Sequence, residues 1–160
     1  MRVEVAREAS TLVLLACLAW LVGSRTTTRL AAFFLAFGVW DITFYFWLRA
    51  LIGWPASLMT WDLLFLIPVP WSAPVLAPVM VAASIAAFGA VTLWCDPKRS
   101  RLGSVALLLA GFGVTYVAFV WNSGRLLAGK VPEQFPWIVF SVGVLLLLAS
   151  SGVTLKNWQN

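Results

Sequence analysis

Five long apolar stretches, separated by short segments that carry charges or prolines, make up most of the chain. They cover about residues 9–24, 30–49, 74–94, 102–122 and 136–154. A helix of about 20 apolar residues crosses the roughly 30 Å hydrocarbon core of a bilayer. The first stretch is the shortest, and the flanking Arg7 and Arg25 extend its reach by snorkelling. The pattern predicts five transmembrane helices in a single polytopic membrane domain, residues 1–160.

The composition favours the same class of protein. The chain is 62% hydrophobic and only 11% charged, with a mean hydropathy of +0.94. Soluble domains carry about 25% charged residues, and a soluble fold of this length cannot cover so much apolar surface with so few charges. We therefore expect an all-α integral membrane protein, a five-helix transmembrane bundle whose main partner is the lipid bilayer.

The segment between the second and third stretches, residues 54–73, has a different character. Gly53-Trp54-Pro55 ends the second helix, because proline breaks the hydrogen-bond ladder and restricts the residue before it. The uncharged run after Asp62 would measure about 50 Å as one helix, too long for a single crossing. Its first part contains Pro68, Pro70 and Pro74. We interpret residues 54–73 as a re-entrant or interfacial segment, rich in proline and tryptophan, that lies against the bundle.

One acidic residue, Asp41, lies near the middle of the second predicted span. A carboxylate at that depth costs about 2.5–3.5 kcal/mol on insertion scales, so it should face the bundle interior or water and have a partner. Tyr45 and Arg49 follow at four-residue steps on the same helical stripe. Because helical side chains lean toward the N-terminus, we expect Tyr45 to bridge Asp41 and Arg49 by hydrogen bonds.

Two interpretations of this stripe stay open. In the first, Asp41, Tyr45 and Arg49 bind a ligand or a proton, as intramembrane ionisable residues often do. The walls of such a pocket would be aromatic residues of the same region, namely Phe37, Trp40, Phe44, Trp47 and Trp61. In the second, a buried polar pair only fixes the second span against residues 54–73.

The tryptophans of this region have a regular spacing. Trp40, Trp47, Trp54 and Trp61 recur every seven residues. Because Gly53-Trp54-Pro55 interrupts the helix, the spacing favours anchoring at the membrane interface over the stacking of a cofactor. Asp62 follows Thr60-Trp61, and we interpret it as a residue in the first turn of a short helix that Thr60 caps.

The residue types argue against most catalytic and cofactor chemistry. The chain has no histidine, and it contains neither a C-x-x-C nor a G-x-S-x-G motif. We therefore expect no catalytic residue, no metal and no cofactor. An intramembrane enzyme that uses Asp41 is a remote alternative, since Asp62 lacks the Gly-x-Gly-Asp context of intramembrane aspartic proteases. The net charge of +5 comes from residues at the ends of apolar runs, which indicates membrane anchoring and no nucleic-acid partner.

In length, in number of predicted spans and in abundance of tryptophan, the chain resembles the tryptophan-rich sensory protein family of porphyrin and sterol binders. Tryptophan and proline adjoin here at Trp54-Pro55 and at Val69-Pro70-Trp71. Neither place has the neighbours of that family's tryptophan-proline signature. The resemblance is therefore a general likeness, and it transfers no functional residue.

Charge placement and helix faces lead to hypotheses about orientation and function. The basic cluster Lys98, Arg99 and Arg101 lies in a short loop, which predicts that this loop and the C-terminus are cytoplasmic in the cytoplasmic (inner) membrane. Short loops and small-residue faces, such as Ala82 and Ala86, favour a non-catalytic accessory, scaffolding or assembly component of a membrane complex, or a homo-oligomer. The alternative is a binder or carrier of a small hydrophobic or anionic ligand, with or without proton coupling.

Overall fold

Six helices and two short strands make up the secondary structure of the described part of the chain. The computed structural model describes residues 2–66, 68–95 and 102–159. In chain order the elements are α1 (Arg2–Val22), α2 (Thr26–Ile52), β1 (Trp61–Phe65), β2 (Trp71–Pro74), α3 (Leu76–Cys95), α4 (Leu102–Val120), α5 (Ser123–Leu127) and α6 (Trp137–Gln159). Five of these helices, all except α5, are long and apolar enough to cross a membrane, which confirms the predicted number of long apolar helices. The predicted basic loop falls on residues 96–101, outside the described residues.

The long helices pack in neighbouring pairs. Helix α2 runs along α3, and α4 runs along α6, while α3 also contacts α6 and α1 lies against α2. Close approach depends on small residues, as the alanines of α3 predict: a Cβ added at Gly38 would clash with the carbonyl oxygen of Ala82 and lie 2.8 Å from the Cβ of Ala86. Glycine at this position therefore lets the backbones of α2 and α3 touch.

A tight turn joins α1 to α2 and makes the two helices antiparallel. The Arg29 side chain holds the turn, because its Nε donates a hydrogen bond of 2.9 Å to the carbonyl of Gly23. The guanidinium of Arg29 also lies 3.6 Å from the centroid of the Trp20 ring. Such a geometry combines a backbone hydrogen bond with a cation–π contact. Residues of α1 and α2 that are about equally far from the turn along the chain therefore lie at about the same height along the two helix axes.

The proline-rich segment differs from the sequence expectation, because it forms a β-hairpin in a chain predicted to be all-α. Strands β1 and β2 pair antiparallel, with Trp61 opposite Pro74 and Asp62 opposite Ala73, and the register shifts between Leu63 and Phe65. The physical reason lies in the prolines, which disfavour helix and tolerate extended backbone at strand ends. Pairing then satisfies the backbone groups that a helix would otherwise satisfy.

The hairpin is held by the helices around it. Trp71 packs against Tyr116 and Phe119 of α4, with ring centroids 5.1 and 6.2 Å apart. Trp61 meets Phe135 edge-on at 6.3 Å. Because an isolated two-stranded hairpin is marginally stable at best, these contacts fix its position.

The short helix predicted to begin after Thr60 is wrong. Asp62 is the second residue of β1, and the Oγ1 of Thr60 accepts a hydrogen bond of 3.1 Å from the backbone N–H of Ser57. The carbonyl of Thr60 also accepts a bond of 2.9 Å from the N–H of Val75, which extends the strand pairing. Pairing with β2 therefore overrides the local capping signal that the sequence carries.

Candidate functional site

A cavity of about 690 Å³ lies among α1, α2, α3, α4 and the hairpin. Its volume falls within the roughly 300–1,000 Å³ of pockets that bind small molecules. The lining is mostly apolar and strongly aromatic, and it includes Phe37, Trp40, Phe44, Trp54, Trp71 and Phe119. A small number of polar side chains share this lining, which is the usual composition of a ligand site.

One wall of the cavity is a row of aromatic rings along α2. Phe33, Phe37, Trp40 and Phe44 follow at steps of three or four residues, which places them on one helical face. Successive ring centroids are 6.1, 6.0 and 5.7 Å apart, and the first and last of these contacts are stacked. The wall is thus a continuous π-surface built within one element, so the sequence alone can predict most of it.

The strongest polar contact in the cavity joins α2 to the hairpin. The Tyr45 hydroxyl donates a hydrogen bond of 2.7 Å to Oδ2 of Asp62. The other carboxylate oxygen, Oδ1, accepts a bond of 2.8 Å from the backbone N–H of Leu63. Tyr45 is buried, with 7% of its surface exposed. Both oxygens of Asp62 thus have donors, and its first role is to position the hairpin.

A second polar group lies where α1 meets the cavity. Arg7, Glu8, Thr11 and Asp41 all contribute to the lining there. The guanidinium of Arg7 lies 6.0 Å from the ring centroid of Phe44. This contact places the charged N-terminal end of α1 beside Phe44, one turn from Asp41 on α2. Charged groups of two helices therefore converge on one end of the aromatic wall.

Glu8 is the most unusual of these groups. It is 6% exposed, and its Oε2 atom is buried without a hydrogen-bond partner in the described part of the molecule. A carboxylate oxygen that is buried and unsatisfied costs free energy, so it requires a physical reason. Asp41, on the facing helix, is only partly buried.

The structure brings together some of the predicted site residues and separates others. Asp41, Tyr45 and Trp40 line the cavity. The predicted bridge from Asp41 through Tyr45 to Arg49 is wrong, because Tyr45 donates to Asp62. Arg49 instead turns toward the end of α2, where its Nη1 donates to the carbonyls of Gly53 and Pro55 at 2.7 and 2.9 Å.

The two remaining predicted residues, Trp47 and Trp61, are not among the described residues that line the cavity. Trp47 is 57% exposed and contacts its neighbour Phe46, while Trp61 packs on Phe135. The seven-residue spacing of the tryptophans therefore forms no stripe, since Trp40 and Trp54 line the cavity and the other two do not. The break at the end of α2 separates Trp54 and Trp61 from the helix that carries Trp40 and Trp47, as the sequence indicates.

Sequence reasoning missed Glu8, Arg7 and Asp62. Glu8 and Arg7 stand before the first apolar stretch and read as residues of a charged N-terminus. A signal for them exists in the short turn between α1 and α2, because such a turn makes the helices antiparallel and brings the N-terminal part of α1 beside the later half of α2. No comparable signal links Tyr45 to Asp62, since their contact depends on the path of the hairpin.

Comparison of this chain with protein-family models, with curated proteins and with solved structures finds no match. The likeness to tryptophan-rich sensory proteins therefore has no support beyond the features that suggested it. What defines the molecule is its architecture: five long apolar helices, a packed β-hairpin and an aromatic cavity with charged groups at one end.

Proposed function

We propose that this chain is an integral membrane protein that binds a small, mainly apolar molecule in the cavity between its helices and the β-hairpin. The observation that carries the proposal is the cavity itself, with its volume of about 690 Å³ and its aromatic lining. Close packing is the rule in protein interiors, and voids larger than a water molecule are few. A space of this size with converging polar groups is therefore the default site for a ligand.

The aromatic wall supports an apolar ligand rather than a column of water. Each ring of the Phe33–Phe44 row presents an apolar face, which water solvates poorly. A flat or ring-containing molecule would replace that water and stack on the rings at the same spacing that the rings keep among themselves. The few polar side chains would then orient it.

This proposal develops the sequence-based alternative of a binder or carrier. The accessory or scaffolding role stays a prediction, as do the cytoplasmic C-terminus and the inner membrane. The hydrogen bonds from Tyr45 and Leu63 to Asp62 support a structural role for this residue rather than a catalytic pair with Asp41.

The direct test is the binding of a neutral apolar probe. The purified protein is placed in nanodiscs and titrated with N-phenyl-1-naphthylamine, whose fluorescence rises in apolar surroundings, with empty nanodiscs as the background. We expect saturable binding of one probe per chain. Binding that never exceeds the empty nanodiscs would overturn the proposed function.

Two variants that narrow the cavity locate the probe. Val81 on α3 and Leu64 on β1 both line the cavity, and phenylalanine at either position fills part of it. We expect affinity for the probe to fall about tenfold or more in Val81→Phe and Leu64→Phe, because displaced ligand atoms lose their contacts. The control is Leu145→Phe on the exposed face of α6, where the side chain is 65% exposed. Equal affinity in all three variants would place the probe outside the cavity.

A further inference from the structure

We infer that the ligand of this cavity is an organic cation, an apolar body that carries a protonated amine or a quaternary ammonium group. The inference rests on the proposed function, since it names the chemical class of ligand for the same site. It departs from the sequence-based alternative, which included anionic ligands. Charge, an unsatisfied acceptor and aromatic surface each support it.

The charged groups of the cavity are unequal in number. Among the residues that the structure describes, Glu8, Asp41 and Asp62 contribute three carboxyl groups to the lining, and Arg7 contributes one guanidinium. Arg49, the cation of the predicted site, donates to backbone carbonyls at the end of α2 and is not part of the described lining. The acidic groups therefore outnumber the basic ones, and a cation is the ligand that relieves their mutual repulsion.

Glu8 gives the second argument, which does not depend on counting charges. Its carboxylate is more than nine-tenths buried, and Oε2 has no hydrogen-bond partner in the part of the chain that the structure describes. When it is ionised, a buried carboxyl group of this kind requires a donor or a positive charge. An ammonium group supplies both, and Glu8 lines the cavity from which that group would approach.

The aromatic wall gives the third argument. The faces of aromatic rings attract cations, and cages of such rings are a common way to bind quaternary ammonium groups. Arg7 already shows this behaviour within the molecule, because its guanidinium lies 6.0 Å from the Phe44 ring centroid. The rings of Phe37 and Trp40 continue the same surface toward Asp41.

The test compares two probes of nearly equal size and opposite charge. Tetraphenylphosphonium and tetraphenylborate each carry four phenyl rings around one charged centre, so they differ mainly in sign. Each is used to displace N-phenyl-1-naphthylamine from the protein in nanodiscs, with empty nanodiscs measured alongside to correct for partitioning into lipid. We expect the cation to displace the neutral probe at a concentration about tenfold lower, or more, than the anion.

Variants of the two converging carboxyl groups assign the preference to the site. Glu8→Gln and Asp41→Asn keep the side-chain volumes and remove one charge each, and we expect each to weaken binding of the phosphonium about tenfold more than it weakens binding of the neutral probe. The control Glu133→Gln removes an equal charge from an exposed ion pair with Arg125, and it should change neither affinity.

The outcomes separate the inference from the function on which it rests. Displacement by the borate at equal or lower concentration, while the neutral probe still binds, overturns the cation assignment and leaves the proposed function intact. A preference for the cation that persists in both Glu8→Gln and Asp41→Asn also overturns the assignment, because groups other than these two carboxyls would then cause the preference. No saturable binding of the neutral probe overturns the proposed function itself.

Discussion

The interface between α4 and α6 and the region between α1, α2 and the hairpin are packed in opposite ways. At the first, Gly143 and Gly111 let the two helices touch: a Cβ added at Gly143 would lie 2.8 Å from the backbone nitrogen of Thr115. At the second, large aromatic side chains hold the elements apart around a cavity of about 690 Å³. One chain thus uses its smallest residues to close one space and its largest to keep another open.

The difference leads us to expect that the closed interface mainly stabilises the fold and that the cavity region mainly serves function. Two buried hydroxyls at the closed interface are satisfied, since Ser104 donates to the carbonyl of Ser150 at 3.0 Å and Thr115 to that of Gly111 at 2.9 Å. At the cavity, Glu8 Oε2 and Trp71 Nε1 are buried without partners among the described residues. Unsatisfied groups of this kind cost stability, and each requires a physical reason; three others among the described residues, on Ser72, Thr92 and Ser151, lie outside the cavity lining.

The largest effect is expected from Gly143→Val, which breaks the closed interface. The added Cβ would lie 2.6 Å from Cγ2 and 2.8 Å from the backbone nitrogen of Thr115, and backbone cannot move aside. We expect a loss of about 3 kcal/mol in the free energy of unfolding, the upper part of the usual overpacking range. Circular dichroism during titration of the detergent-solubilised protein with sodium dodecyl sulfate measures this loss.

Gly152→Val is the matched control on the same helix. A Cβ added at Gly152 meets nothing within 4 Å, so both variants share the cost of valine in a helix and differ in the contacts with Thr115 and Gly111 of α4. An unfolding free energy that is the same for both variants would contradict the comparison drawn above.

The next effect is expected from Tyr45→Phe, which removes the polar contact between α2 and the hairpin. The phenylalanine keeps the ring contacts but leaves Oδ2 of Asp62 without the Tyr45 hydroxyl. Hydrogen bonds to charged groups contribute about 1.5–3 kcal/mol, so we expect a loss of about 2 kcal/mol. The measurement is a double-mutant cycle with Asp62→Asn in the same unfolding assay.

Tyr116→Phe serves as the control for that cycle. Tyr116 lines the same cavity and contacts Trp71 through its ring. We expect it to show no coupling with Asp62→Asn, because couplings arise between groups that touch or share partners. Coupling of equal size for both tyrosines would show that the cycle reports a general loosening of the cavity.

The sequence predicts those features of the architecture that depend on residues close together along the chain. The five long helices follow from apolar runs, and the Phe33–Phe44 row follows from helical spacing within α2. The hairpin and the Tyr45–Asp62 contact do not follow, because they depend on how a proline-rich segment packs between helices. At Thr60 the local sequence predicts a helix cap, and this prediction is wrong because strand pairing overrides the capping signal.

A smaller effect is expected from Arg49→Ala, because Arg49 works at the end of α2 and not in the cavity. Its Nη1 donates to the carbonyls of Gly53 and Pro55. Since the residue is exposed and water can replace these bonds, we expect a loss of about 1 kcal/mol. Affinity for N-phenyl-1-naphthylamine should stay unchanged, and Arg49→Lys separates the loss of charge from the loss of the paired bonds. A large fall in affinity would restore Arg49 to the binding site.

The smallest effect is expected from Glu8→Gln. Whether this variant raises or lowers the free energy of unfolding is the sharpest test of the difference between the cavity region and the closed interface. If Glu8 stabilised the fold, its replacement would lower the free energy of unfolding. Its buried Oε2 has no partner among the described residues, however, so burying it lowers the stability of the folded protein. We expect the free energy of unfolding to change by less than about 0.5 kcal/mol or to rise, because an amide is less costly to bury than a carboxylate. The unfolding assay used for Gly143→Val measures it without any ligand. A loss of stability as large as that of Tyr45→Phe would show that Glu8 holds α1 in place. The polar groups of the cavity region would then stabilise the fold, as those of the closed interface do.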